Sequence, residues 1–371
     1  ALEDLYQPMP EGKAVQLAHH FDLADDHPRA HHYYALAAEY SSRLYATKEV
    51  QENYTKAIEL ADVVAPEVQN LIKLYRGRGL ISGRLGDFDQ AQSDHQTALQ
   101  LARVEGEMEL EWRAFIDLGR LWAARDYQRT QRHFEGALEL SQRIDDPTIL
   151  ANSLNWMGNW HTNAENVGQA VEYHQQALQI AEQLEDRREL ANTLDLLGVA
   201  NLMAGDLPDC IQYYDQAVSL QRDQGNRLRL VSSLTGRAVA VSAMTSQVCA
   251  PVLPSPDGIN DSQEAIEIAD QIGDLPGKAW ALYAQGMVHL ARGQFGRAEK
   301  ALSAGLDLSL EIKHKEYIVA NRFGLGMLFQ ELLDPKKSLE YLEKTLPIAE
   351  KLRSPAMIHN TTGPLARALI M

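Results

Sequence analysis

A small residue returns about every forty positions near the middle of a helical stretch: Ala57, Ala98, Ala137, Ala177, Ala217, Ala265, Gly305 and Thr345. A partner series runs nineteen residues ahead of it, at Gly79, Gly158, Gly198, Gly286 and Gly326, with Ala38 and Ala238 in the same register. Two small residues at a fixed offset within a fixed period describe two closely touching helices, copied along the chain. That is the signature of a solenoid, and a period of this length means helical hairpins. The expected fold is therefore all-α, a right-handed superhelical solenoid of antiparallel helix hairpins. Such a plan is a binding scaffold, and the period alone does not say what is bound.

A single core in a chain of 371 residues would split into two or three domains. A solenoid escapes that limit because each repeat contacts only its neighbours. With 45% hydrophobic residues, the chain has enough apolar surface for a continuous core. Its 35 basic and 51 acidic residues give a net charge of −16. That argues against general affinity for nucleic acid, whose phosphates need a basic face. No apolar run is long enough to span a bilayer, and no basic-then-apolar leader opens the chain. The two cysteines, Cys210 and Cys249, read as reduced thiols, so the expected location is cytoplasmic. Because the sequence starts and ends in repeat-like residues, a fragment of a longer protein is expected.

The clearest unit is Arg187 to Asn226. Ala191, Leu194, Leu197, Gly198 and Leu202 recur at helical spacing, and Gly205-Asp206 then breaks the helix. Ile211, Tyr214, Ala217, Val218 and Leu220 mark the second helix, and Gly225-Asn226 closes the unit. On this plan the organisation is a lead-in helix within residues 1–27, eight hairpins over 28–353 and a C-terminal helix, a cap or half repeat, over 354–371. The eight hairpins are placed at about 28–63, 67–105, 107–145, 147–186, 187–226, 227–273, 276–314 and 315–353. Between Ala238 and Ala265 the offset grows by eight residues. The stretch 245–260, with three prolines, is read as a protruding loop.

The register resembles the tetratricopeptide repeat, on Leu197-Gly198, Gly205-Asp206 and Ala217, again on Gly79, Gly86-Asp87-Phe88, Ala91 and Ala98, and a third time on Gly286, Gly293, Ala298 and Gly305. Two copies depart from it. The repeat 107–145 lacks one residue before Asp126-Tyr127, and the last replaces the turn with Leu333-Asp334-Pro335. The opening stretch Leu17–Ala61 looks like the junction where bacterial signalling ATPases of the STAND type pass into a C-terminal repeat sensor. That resemblance implies a nucleotide-binding domain upstream, outside this chain, because no GxxxxGK[ST] loop is present here.

In this family the first helix of each hairpin lines the concave side, and the resemblance implies ligand contacts at −6, −3, +1, +4 and +5 from the glycine. Those positions give three zones. The early repeats offer Lys73, Arg76, Arg84, Arg113 and Arg120; the middle offers Asn152, Asn155, Asn159, Asn163 and Asp195; the late repeats offer Trp280, Tyr283, Met287, Phe323 and Met327. Arginines fork onto carboxylate or phosphate. Asparagine pairs with peptide backbone, and aromatic and Met surfaces anchor apolar groups. The set suits an extended acidic or phosphorylated segment with an apolar end. Packing between repeats and pairing with neighbouring carboxylates are the rival readings for the same residues.

His19, His20, His27, His31 and His32 crowd the start, without the thiolate or HExxH company of a zinc site; no metal or cofactor is expected. His95, His133 and His174 occupy or adjoin one packing position and are read as structural. Asp25-Asp26, Asp145-Asp146 and Glu185-Asp186 lie at turns, where they cap helices. Nothing points to a catalytic pocket, so an enzyme is not expected. The expected function is a protein- or peptide-binding sensor module of a larger signalling protein. The alternatives are a receptor for a small molecule or short signalling peptide, and a passive assembly scaffold.

Overall fold

The computed structural model describes residues 13–44, 48–123, 125–248, 258–352 and 355–371. They form helices in two compact units, Ala1–Asp146 and Pro147–Met371. In the first unit, α1 (Ala14–Leu23) precedes three pairs: α2 (His27–Leu44) with α3 (Lys48–Val64), α4 (Val68–Leu85) with α5 (Phe88–Glu105), and α6 (Met108–Trp122) with α7 (Tyr127–Ser141). In the second unit, α8 (Pro147–Asn163) pairs with α9 (Val167–Gln183), α10 (Arg187–Ala204) with α11 (Leu207–Asp223), α12 (Arg227–Val248) with α13 (Gly258–Ile272), and α14 (Leu275–Ala291) with α15 (Phe295–Glu311). Next comes α16 (Lys315–Glu331), against α17 (Pro335–Glu343) and α18 (Leu346–Leu352), then α19 (Pro355–Ile370). The fold class is the expected one, an all-α solenoid of hairpins.

The hairpin ends follow from local chemistry. Asp87, Asp126, Asp186, Asp206, Asp274 and Asp334 each accept a hydrogen bond from a first-turn backbone N–H of the helix they open. Such a cap satisfies donors that the helix itself leaves orphaned. Gly86 and Gly205 end α4 and α10 with φ of +85° and +80°, the left-handed geometry that glycine adopts without a Cβ penalty.

The two small-residue series have distinct jobs. Each first-helix glycine is a notch for a bulky side chain of the second helix: His95 at Gly79, His174 at Gly158, Tyr214 at Gly198, Leu302 at Gly286 and Leu342 at Gly326. The offset is sixteen residues. In the copy that lacks a residue, Phe134 fills the notch at Gly119. A Cβ added at Gly198 would sit 2.8 Å from Tyr214 Cζ, closer than carbon atoms approach. Tyr214 also wedges against Gly236, and Leu302 against Gly324, in the following hairpins. One side chain thus joins three helices. The second series, Ala57, Ala98, Ala137, Ala177, Ala217 and Ala265, is 0% exposed.

Two features depart from a simple hairpin. The last second helix is split into α17 and α18. Pro347 explains it, since its ring cannot donate to the carbonyl of Glu343 and clashes with it. Of the expected loop at 245–260, residues 245–248 continue α12 and 258–260 open α13. Residues 249–257, Cys249 among them, lie outside the described residues, as does the start of the lead-in segment.

Candidate functional site

The first helices carry the candidate binding residues, and the two units are considered in turn. In the first unit the basic residues separate. Arg76 Nε lies 2.6 Å from Asp117 Oδ2, with Asp117 buried, so this arginine joins α4 to α6. Arg113 pairs along its own helix with Glu109 at 2.6 Å. Lys73 borders a hollow between α2 and α4 that also holds Glu39 and Glu67. Arg84 and Arg120, in contrast, line one cavity of about 260 Å³ together with Arg125, His95 and Asp117. Arg125, from the α6–α7 turn, and His95 were not among the expected binding residues. His95 was read as structural, and its ring does fill the Gly79 notch.

In the middle zone of the second unit two expected groove residues, Asn155 and Asp195, are internal. Asn155 is 3% exposed. Its Nδ2 donates to Glu189 Oε1 and Thr193 Oγ1, both at 2.8 Å, and its Oδ1 lies 2.9 Å from His174 Nδ1. Asp195 is likewise buried and accepts a hydrogen bond from Ser233; desolvation raises its pKa. The spacing placed both on the first-helix face. Partners on the next first helix, Thr193 for Asn155 and Ser233 for Asp195, draw them into the seam between repeats. Asn163 Nδ2 donates to Asn159 O one turn back.

Asn152 leads to a second cavity of about 330 Å³, bordered by the N-terminal ends of α8, α10 and α12. Its walls are amides and charges: Asn152, Asn192, Asn226 and Gln224, with Asp186, Glu189, Arg188 and Arg229. Gln221, on α11, also lines it. Its side chain is 1% exposed, and neither carboxamide atom has a hydrogen-bond partner. A buried amide left this way forfeits the partners that buried polar groups otherwise find. Asn192 was legible, because it stands six residues before Gly198, as Asn152 does before Gly158. Gln221 was not, since it belongs to a second helix.

The late aromatic zone is a stack within the protein. Trp280 lies parallel to Tyr283, with ring centroids 4.9 Å apart, and to Tyr317 at 5.6 Å. Tyr283 is buried, which pushes its hydroxyl pKa up to about 12. Met287 and Phe323 pack on the core around Leu302, and Met327 is partly buried. The rims of Trp280, Met287, Phe323 and Met327 remain accessible; Tyr283 does not.

Among the described residues no group of three or more His, Cys, Asp or Glu side chains is arranged to hold a metal ion. His31, one of the clustered N-terminal histidines, instead places Nδ1 2.8 Å from Ala57 O. Cys210 is a free, buried thiol. Among the described residues, no helix is long and apolar enough to cross a membrane.

Residues 149–238 match the tetratricopeptide repeat family model. No curated protein matches the sequence. Solved structures share the fold at low identity. A Rap protein complexed with competence and sporulation factor is 11% identical, with a TM-score of 0.57 over 91% of this chain and 97% of that one. The apo form of the quorum sensor NprR from B. thuringiensis is 14% identical, with a TM-score of 0.60 over 82% and 84% of the two chains. A signal transduction ATPase with a tetratricopeptide repeat sensor, from Pyrococcus horikoshii, is 13% identical, with a TM-score of 0.55. That match covers 91% of this chain and 49% of the ATPase. The family match thus covers the hairpins α8–α9 and α10–α11 and the first half of α12, and the solved structures share the fold over most of the chain.

Proposed function

We propose that this chain is a protein- or peptide-binding module that holds an extended segment along the first helices of its second unit. The observation that carries this reading is the cavity between α8, α10 and α12. Three asparagines and two glutamines line it, and Gln221 offers a complete, unpartnered carboxamide. A peptide backbone presents a donor and an acceptor at every residue, which is the complement of such a surface whatever the side chains. Arg188, Arg229, Asp186 and Glu189 add charges of both signs to the wall. The accessible rims of Trp280, Phe323 and Met327 would receive apolar side chains further along. On this reading the chain works in the cytoplasm as the sensing part of a larger signalling protein, and a nucleotide-binding domain in the same polypeptide reads the capture.

Fluorescence anisotropy with labelled dodecapeptide pools tests it. At least one pool is expected to bind, with micromolar affinity, and Asn152→Ala with Asn192→Ala is expected to weaken it at least tenfold. An unchanged affinity in the double variant, with circular dichroism also unchanged, would remove this cavity from recognition. A free short peptide as the natural ligand is the second reading. A Rap protein of the same fold has been solved with competence and sporulation factor. Peptides with free termini binding more tightly than end-capped ones would favour it.

A further inference from the structure

The amide-lined cavity of the second unit contains one residue that the repeat does not account for. Four residues after the small residue of each second helix stand, in chain order, Ala61, Ala102, Ser141, Ala181, Gln221, Ala269, Ser309 and Ala349. All are buried. Seven copies thus close this seam with alanine or serine, and both serines return their hydroxyl to a carbonyl of their own helix, Ser141 to Leu138 and Ser309 to Gly305. The fifth copy places a full carboxamide there. Gln221 is 1% exposed, and neither Oε1 nor Nε2 has a hydrogen-bond partner. Packing does not require it, since the copies on either side manage with Ala181 and Ala269. A polar group buried without a partner is unfavourable, so the use of this side chain lies in what enters the cavity.

The surrounding groups narrow the guest. Gln224 Nε2 is committed to Arg187 O, and Asn226 Oδ1 to the Arg229 N–H. Asp186 Oδ1 is committed to the Arg188 and Glu189 N–H groups, and Glu189 Oε1 to Asn155. Gln221 keeps an acceptor and two donor hydrogens together at the end of one side chain. A carboxylate guest would answer Nε2 and offer Oε1 no donor. An ammonium or guanidinium would answer Oε1 and leave Nε2 unpaired, and an apolar guest would leave both. A primary carboxamide answers both at once, because its C=O and an N–H point the same way and two such groups close a planar ring of two hydrogen bonds. The main chain of an extended segment lies along the first helices, where Asn152 and Asn192 stand partly exposed. Gln221, deeper and on the second helix α11, is reached by a side chain, and the cavity of about 330 Å³ has room for one.

We propose that this cavity is a specificity pocket for a carboxamide, the side chain of an asparagine or glutamine in the bound segment, read by Gln221. The proposal rests on the peptide-binding reading above: Asn152 and Asn192 hold the main chain, and Gln221 selects the side chain delivered beneath it.

Positional dodecapeptide pools test it, each with one position fixed as Gln, Glu, Met, Asn, Asp or Leu, read by fluorescence anisotropy on the full chain. Glu and Met match Gln in shape, as Asp and Leu match Asn. At one position the Gln-fixed or Asn-fixed pool is expected to bind at least tenfold more tightly than both of its shape-matched counterparts. Gln221→Met keeps the length of the side chain and removes its donor and acceptor. It is expected to abolish that preference, to leave the affinity of the Met-fixed and Leu-fixed pools within about twofold, and to melt no lower than the parent. Gln221→Ala, which installs the residue of the neighbouring copies, is expected to lose the same preference. Binding without a carboxamide preference at any position, or a preference that survives both substitutions, would overturn the proposal and leave the peptide-binding reading standing. A Gln221→Met protein that melts well below the parent would give the carboxamide a structural duty and would also overturn it. Binding by none of the pools would remove both.

Discussion

At the scale of the residue, one position shows how shape and chemistry divide the work. His95, Phe134, His174, Tyr214, Leu302 and Leu342 all fill a first-helix glycine notch. The notch therefore asks for bulk, and the sequence period locates it without knowing the side chain. The chemistry appears in the pH response. Burial lowers the His174 pKa to about 4, against about 6.5 for an unfolded histidine. The neutral ring is the folded form, so the contribution is complete above about pH 6.5. As pH falls towards 4, the unfolded chain takes up a proton that the folded chain refuses. Folding then loses about 1.4 kcal/mol per pH unit, about 3 kcal/mol in all. His174→Phe, which borrows the Phe134 solution, is expected to lose about 3 kcal/mol less between pH 7 and pH 4 in urea unfolding; equal losses would place the titration elsewhere. Single residues also mark where the sequence stops being readable. Asn152 and Asn155 share one helix, yet Asn152 lines a cavity and Asn155 is bound to Glu189 and Thr193. Spacing within α8 cannot distinguish them, because the distinction comes from residues more than thirty positions away.

Among the elements, the ends of helices were the most legible. A Gly-Asp pair means a left-handed residue followed by a cap, and Gly86-Asp87 and Gly205-Asp206 both behave so. The local rule works because each partner lies within one turn. The split of the last second helix follows a rule just as local, the missing donor of Pro347. Pro347→Ala supplies an N–H four residues after Glu343 and is expected to merge α17 and α18. Slowed amide exchange at residues 345–349 would show it, with far-UV ellipticity rising by about one helical turn. Exchange unchanged from the parent would mean that packing on α19 breaks the helix. Less legible were the contributions of second helices and turns to the binding surfaces. Gln221 and Arg125 belong to such elements, and a reading confined to first-helix faces passes over them.

For the whole molecule, contacts between neighbouring hairpins within each unit carry the stability, so damage should stay local. Gly198→Leu drives a side chain into Tyr214, and overpacking of this kind costs about 1–3 kcal/mol or more. Hydrogen exchange is expected to accelerate in α10, α11 and α12 while the α4 and α5 amides keep their protection. Acceleration of equal size in both units would mean that the chain unfolds as one cooperative block. By itself, the sequence determined that the chain is a stack of helical hairpins, where each hairpin turns, and which glycines and alanines let helices touch. All of these depend on residues close in the chain or on a period that repeats. The tertiary structure alone decided which polar residues on those helices face a cavity and which bind the next repeat. It also brought Arg84, Arg120 and Arg125 together around His95 and left Gln221 without a partner. Those outcomes depend on side chains from three helices meeting at one point, and no single helical period encodes such a meeting.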